Sequence, residues 1–266
     1  EGFLRGNGPA LDEVAIRAVV SILSGYIGQY LRDKKFRETI RAKCYSCFTR
    51  NKDSESGDLE NMQSGIEVVE RLVEDQGPEK ELNVKSLQYC IRLLGSTISS
   101  VNSKSSKNGT SATCRRQNSQ LAACAELYLS IVYKVYKSDR VSARHLLQVF
   151  CDSPHIARTN LLPEVWEHLF LPHLLHIKIW YNEELESLSN SMYPDEETKM
   201  KALDKAYNDQ MDIGTQKFAL YYKEWLKDGA KAPAVPSVHL PSTVNRAPSR
   251  RHSESFSSHS ANKSSL

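Results

Sequence analysis

Strand patterns, nucleotide-binding glycine loops and long charge-free apolar runs are all missing from this sequence of 266 residues. No stretch alternates polar and apolar residues for long enough to make a half-buried strand, so a sheet is not expected. Neither GxGxxG nor a P-loop occurs, and Gly6-Asn7-Gly8 follows no strand, which removes the usual phosphate cradles. No window of about 18 apolar residues is without charge, and the first residues hold no basic segment leading into an apolar run with a small-residue cleavage site. Membrane insertion and secretion are therefore not expected, and the chain reads as intracellular, cytoplasmic or nuclear. The sequons at Asn108 and Asn262 then carry no weight, because glycosylation needs the secretory route.

Charge of one sign is scarce as well. The formal net charge is +3, and the five Lys/Arg set against one acid in residues 230–266 account for more than all of it. A nucleic-acid binder concentrates cations on its folded surface to displace counterions from phosphates, so nucleic acid is not an expected partner. Lys104, Lys107, Arg115 and Arg116 lie in a stretch with no acid between Ser99 and Ser119, and read as a solvated loop. Six cysteines stand at 44, 47, 90, 114, 124 and 151, and all but Cys114 fall among apolar residues of helical patterns. That is the setting of buried thiols in a reducing compartment.

What is present is helix. Asp12 can cap a helix through VAIRAVVSILSGYIGQYL, and Asp33 or Lys34 opens a continuation, giving one pair or one bent helix. Leu59, Met62, Ile66, Val69 and Val73 recur at helical spacing until Gly77-Pro78, and Leu87 to Ile98 and Leu121 to Tyr136 repeat the pattern. Leu161 to Leu188 is apolar on nearly every side with Pro172 in its middle, and is expected to be the buried central element. Trp166, Phe170, Leu174, Ile177, Trp180 and Tyr181 form its expected core face, with Val165, Leu171, Leu175 and Ile179 on the other, and Trp225 lies in the stripe of the last helix. Helix pairs begin about 40 residues apart, which points to an all-α, irregular armadillo- or HEAT-like α-solenoid of packed helix pairs. The expected organisation is a flexible terminus at 1–11 and one helical domain at 12–229, broken by a disordered loop at 99–119. A disordered tail or linker follows at 230–266, with ten serines and four prolines.

Candidate chemistry is thin. Cys44-Tyr45-Ser46-Cys47 has zinc-ligand spacing, but tetrahedral zinc wants a second pair that the sequence does not supply. His168, His173 and His176, with Glu164 and Glu167 nearby, could furnish ligands or acid–base groups, yet His168 and His173 are five apart and fall on different helix faces. No catalytic, cofactor-binding or metal-ligating residue is assigned, and no cofactor is expected. Arg250-Arg251-His252-Ser253 is a basic-directed phosphorylation pattern that marks Ser253.

RAKCYSCF (41–48), RRQNSQLAACAELYLSIVYKVYKSDR (115–140), LLPEVWEHLFLPHLLHIKIWY (161–181) and the Trp225 helix with its Ser/Pro/Arg tail resemble the LIN or CERBERUS type of plant E3 ubiquitin ligase. That resemblance implies an armadillo-like N-terminal region, then a U-box and WD40 repeats, and an association with root-nodule symbiosis. This sequence holds no U-box segment and no GH or WD dipeptide of a propeller blade, so no ligase residue carries over. The expected role is a noncatalytic scaffold whose partner is a protein or a ubiquitination substrate. The alternatives are self-association as a homo-oligomerisation domain and a metal-dependent enzyme built on the histidine cluster.

Overall fold

The computed structural model describes residues 8–48, 56–75, 83–105, 112–189, 196–227 and 231–241, and these are helical except for short turns and the last stretch. Helix α1 (Gly8–Arg32) breaks at Asp33 before α2 (Lys34–Phe48). The break is capped from both sides: the Asp33 carboxylate accepts from the Phe36 amide at 3.2 Å, and the Arg37 guanidinium donates to the carbonyls of Tyr30 and Leu31. Those are orphan groups of the two helix ends, which need side-chain partners. Helices α3 (Ser56–Glu74), α4 (Val84–Ser105), α5 (Ala112–Val135) and α6 (Asp139–Asp152) follow, and each packs on the next.

The chain then turns through a three-residue helix α7 (Pro154–Ile156) and a π-helical turn (Ala157–Leu161) into α8 (Pro163–Leu169), α9 (Leu171–Ser189) and the long α10 (Glu196–Trp225). Helix α10 lies on α6 and α9, while α1 crosses α5, α6 and α8. No strand occurs among the described residues, and the fold is an all-α solenoid of armadillo type.

The centre is α5 rather than the Leu161–Leu188 segment expected there. Every residue from Leu121 to Val132 is buried, because α1, α2, α3, α4 and α6 surround it. Two of its polar side chains find partners, Glu126 at His145 Nδ1 (2.6 Å) and Ser130, whose Oγ donates to the Leu127 carbonyl at 2.6 Å, while the buried Tyr128 hydroxyl has none among the described residues. The Leu161–Leu188 segment is split at Phe170, with Pro172 in the first turn of α9, where its missing N–H costs no helical bond. Trp166, Phe170, Leu174, Ile177 and Trp180 are buried as expected, whereas Tyr181 and Trp225 are half-buried against the core. The other face is covered only in part: Val165 is buried and Leu171 half-buried, but Leu175 is 47% and Ile179 57% exposed. Apolar residues on several sides of a helix do not bury it on all of them where neighbours are few: α8 and α10 are the helices that pack broadly on α9.

Two expected disordered stretches are partly ordered. Residues 99–105 continue α4, with Val101 buried and Lys104 paired to Asp58 at 2.9 Å, and residues 112–119 open α5; only 106–111 lie outside the described residues. In the expected tail, 231–241 forms an extended strap laid on α9 and α10, while Ser253 and the rest of 242–266 lie outside the described residues. At the other end α1 already begins at Gly8, within the terminus read as flexible. The stretch Glu13–Arg32 of α1 is long and apolar enough to cross a membrane by length and composition, and in this fold Ile16, Val19, Leu23, Ile27 and Tyr30 are buried in the core.

The end of the stack is pinned by a polar knot. Arg158, in the π-helical turn, is buried and donates to Asp212 Oδ1 at 2.7 Å and Asn208 Oδ1 at 2.6 Å on α10, with its guanidinium over the Trp166 ring. The Trp166 indole N–H in turn donates to Thr215 Oγ1 at 2.8 Å. The buried Arg158 charge is therefore paired with a partly exposed carboxylate, and the π-helical turn has one seating on α10.

Candidate interaction surface

The three histidines do not converge. His168 Nδ1 sits 2.6 Å from the Glu164 carbonyl of its own helix. His173 stacks on Phe218 with its Nε2 2.7 Å from Tyr222 Oη, and partial desolvation there lowers its pKa. His176 Nε2 donates to the Val238 carbonyl of the strap at 2.9 Å. Glu164 and Glu167 are exposed. Among the described residues no three His, Cys, Asp or Glu side chains are grouped to hold a metal ion, so the enzyme alternative has no ligand set there.

The Cys44–Cys47 pair acquires a neighbour that spacing could not reveal. Cys124 of α5 hydrogen-bonds both thiols, and these contacts together with complete burial raise its pKa well above the ordinary thiol value. All three are buried, between α2 and α5, beside the Tyr30 and Tyr128 rings that meet edge to face at 6.2 Å. A second polar cleft opens between α1 and the α5–α6 turn, lined by Arg17, Arg32, Lys134, Asp139 and Arg140. Its charges are largely answered within the fold, since Lys134 bonds Asp139 at 2.7 Å and also Ser24, and Arg17 bonds Glu13 at 3.0 Å.

The surface of α9, α10 and the strap is different in kind. The strap lies against α10 through Lys217 Nζ, which donates to the Ser237 carbonyl at 3.0 Å, and through the Gln210 side-chain amide, which donates to the His239 carbonyl. Gly214 makes the approach possible: a Cβ there would stand 2.5 Å from Leu174 Cδ2 and 3.3 Å from Val238 Cγ1. Around the strap, Leu175, Ile179, Ile213, Leu220, Val235 and Leu240 are exposed, six of the eleven large apolar side chains so placed among the described residues. Large exposed apolar groups gathered on one face mark an interaction site more often than scattered ones do. Further along the same two helices, Trp180, Leu188, Ala202, Leu203 and Ala206 line a cavity of about 170 Å³, and the Trp180 indole N–H is buried with no partner.

The family described as E3 ubiquitin-protein ligase LIN-like, ARM repeat, matches residues 14–242, from the start of α1 to just past the strap. The chain belongs to this LIN-like armadillo-repeat family. It is 25% identical to "Putative E3 ubiquitin-protein ligase LIN" of Medicago truncatula over 86% of the chain, and equally so to the LIN-1 and LIN-2 proteins of Lotus japonicus that carry the same description. The chain spans 17% of the length of each of these LIN proteins. No solved structure matches it. Because the LIN-like match runs to residue 242, the strap belongs to the family unit and is no mere linker beyond it.

Sequence reasoning missed the strap, the role of Gly214 and the third thiol. Only Gly214, a glycine in the apolar stripe of a long helix, offered a signal of close approach.

Proposed function

We propose that this chain is the noncatalytic protein-interaction scaffold of a LIN-like E3 ubiquitin ligase, holding a protein partner or ubiquitination substrate for transfer by a U-box outside these residues. An intracellular setting and a part in root-nodule symbiosis belong to the same proposal. The observation that carries it is the apolar surface of α9, α10 and the strap, set at one end of an armadillo stack. Helical stacks of this kind present a rigid, extended face suited to recognition. Ubiquitin transfer by contrast needs a module that recruits the charged E2, and the histidines and polar clusters described above do not converge on a reacting centre.

An E2-discharge assay tests this directly. The purified chain is expected to leave the charged E2 at its spontaneous rate, and discharge above that background overturns the scaffold reading. The exposed apolar face would also suit a second copy of the chain. Light scattering separates the two: a mass that doubles with concentration, and returns to the monomer in Leu175→Ser and Ile179→Ser, favours self-association.

A further inference from the structure

Residues 231–241 are held as a bound peptide is held. The three polar contacts described above, from His176, Lys217 and Gln210, all go to main-chain carbonyls, those of Val238, Ser237 and His239. The one side chain that packs into the core is Val238, beside Gly214 and Leu174, while Val235 and Leu240 are 68% and 49% exposed. Donors that read carbonyls, plus one shallow apolar seat, make few demands on the rest of a ligand's sequence. Pro233, Pro236 and Pro241 bias the strap toward the extended form, which lowers the entropy cost of docking. Helix and sheet bonds play no part in holding it, so nothing but this groove fixes its place.

We propose that the α9–α10 groove is a binding site for an extended segment of a partner protein, proline-rich with a β-branched apolar anchor, and that residues 231–241 occupy it in cis as an exchangeable competitor. The partner segment takes the Val238 seat and the three donors. Its flanking side chains then cover Ile179, Ile213 and Leu220, which the strap leaves open, and that extra burial favours the partner over the strap. A tethered strap acts at an effective concentration of about a millimolar, so the apparent affinity for a partner is the intrinsic affinity multiplied by the fraction of grooves that stand open. The inference rests on the scaffold reading only in taking the ligand to be a protein segment.

The test is a fluorescence-anisotropy titration of a labelled peptide of residues 231–241 against the full chain. Val238→Gly and Val238→Asp, which unseat the strap, are expected to bind the peptide at least about tenfold more tightly than the unaltered chain. Adding Lys217→Ala to Val238→Gly should remove most of that gain. Equal affinity in the unaltered chain and the two Val238 variants, or no binding by folded Val238 variants, overturns the proposal. So does unfolding of both variants, which would make the strap a fixed part of the core. Any of these results beside an unchanged E2-discharge outcome removes the exchangeable strap and leaves the scaffold reading standing.

Discussion

Helix α5 carries Glu126 and Ser130 in its middle and Arg115, Arg116 and Lys134 toward its ends, yet every residue from Leu121 to Val132 is buried. Helix α9 has apolar residues in excess of its buried stripe and leaves Leu175 and Ile179 in the open. The difference lies in neighbours. Helix α5 is ringed by five others, so even Glu126 and Ser130 face protein and are paired internally, whereas α9 has α8, α10 and the thin strap beside it. Burial thus follows from position in the stack, and apolar residues in excess of the available neighbours mark a surface with another use. Polar residues at a central helix and apolar ones at a terminal helix are two sides of one rule.

The comparison breaks first at the centre. Leu127→Ala in α5 should cost about 3–4 kcal/mol in urea denaturation, since a fully enclosed site cannot collapse around the lost atoms. A loss below about 1 kcal/mol would show that α5 is not the hub. Next comes the knot at the other end: Arg158→Ala should cost about 2–3 kcal/mol, because Asp212 and Asn208 both lose a charged donor. Equal midpoints for variant and parent would mean that α8 and α10 hold together by apolar contact alone.

Burial pushes the Asp152 pKa up to about 6, at the junction of α6 with α10. A carboxyl raised above its unfolded value binds its proton more tightly in the folded chain, so its contribution is complete below about pH 4 and is lost as pH rises toward 6. Asp152→Asn should therefore stabilise the chain by about 2 kcal/mol at pH 7, an advantage that denaturation at pH 4 should no longer show. A smaller gain is expected at Lys137, whose φ of 58° places a side chain in the left-handed region at the end of α5. Its turn closes with the Ser138 amide donating to the Tyr133 carbonyl at 2.9 Å, the bond that favours glycine at this position, and Lys137→Gly should raise the midpoint by the equivalent of about 1 kcal/mol. Least of all, Leu175→Ser and Ile179→Ser should each shift stability by less than about 0.5 kcal/mol. A cost near that of Leu127→Ala would mean that α9 is covered after all.

Much of the helical plan is legible in the sequence because helix periodicity and caps are local. Asp33 opens α2 by capping the Phe36 amide, and the apolar spacing of Leu121 to Tyr136 marks the buried part of α5, though not its first turns from Ala112. What is not local is harder to read. The stretch 99–105 looks disordered by composition, but Val101 continues the stripe of Leu94 and earns α4 two further turns. The strap offers one anchoring valine among prolines, and a single apolar residue makes no period. In the same way, Cys124 stands 77 positions beyond Cys47, and only the crossing of α2 on α5 brings them together.

That meeting of three thiols ties the chemistry of the chain to its breathing motions. A thiol reacts as its thiolate, and burial with hydrogen-bonded neighbours suppresses that form at Cys124 while the helices stay closed. Opening of α2 from α5 would release three sulfurs at once, close enough to trap one another if an oxidant arrives before reclosure. Oxidative lifetime is then set by the rate of opening, so that a stabilising change anywhere in the α2–α5 contact also slows irreversible loss.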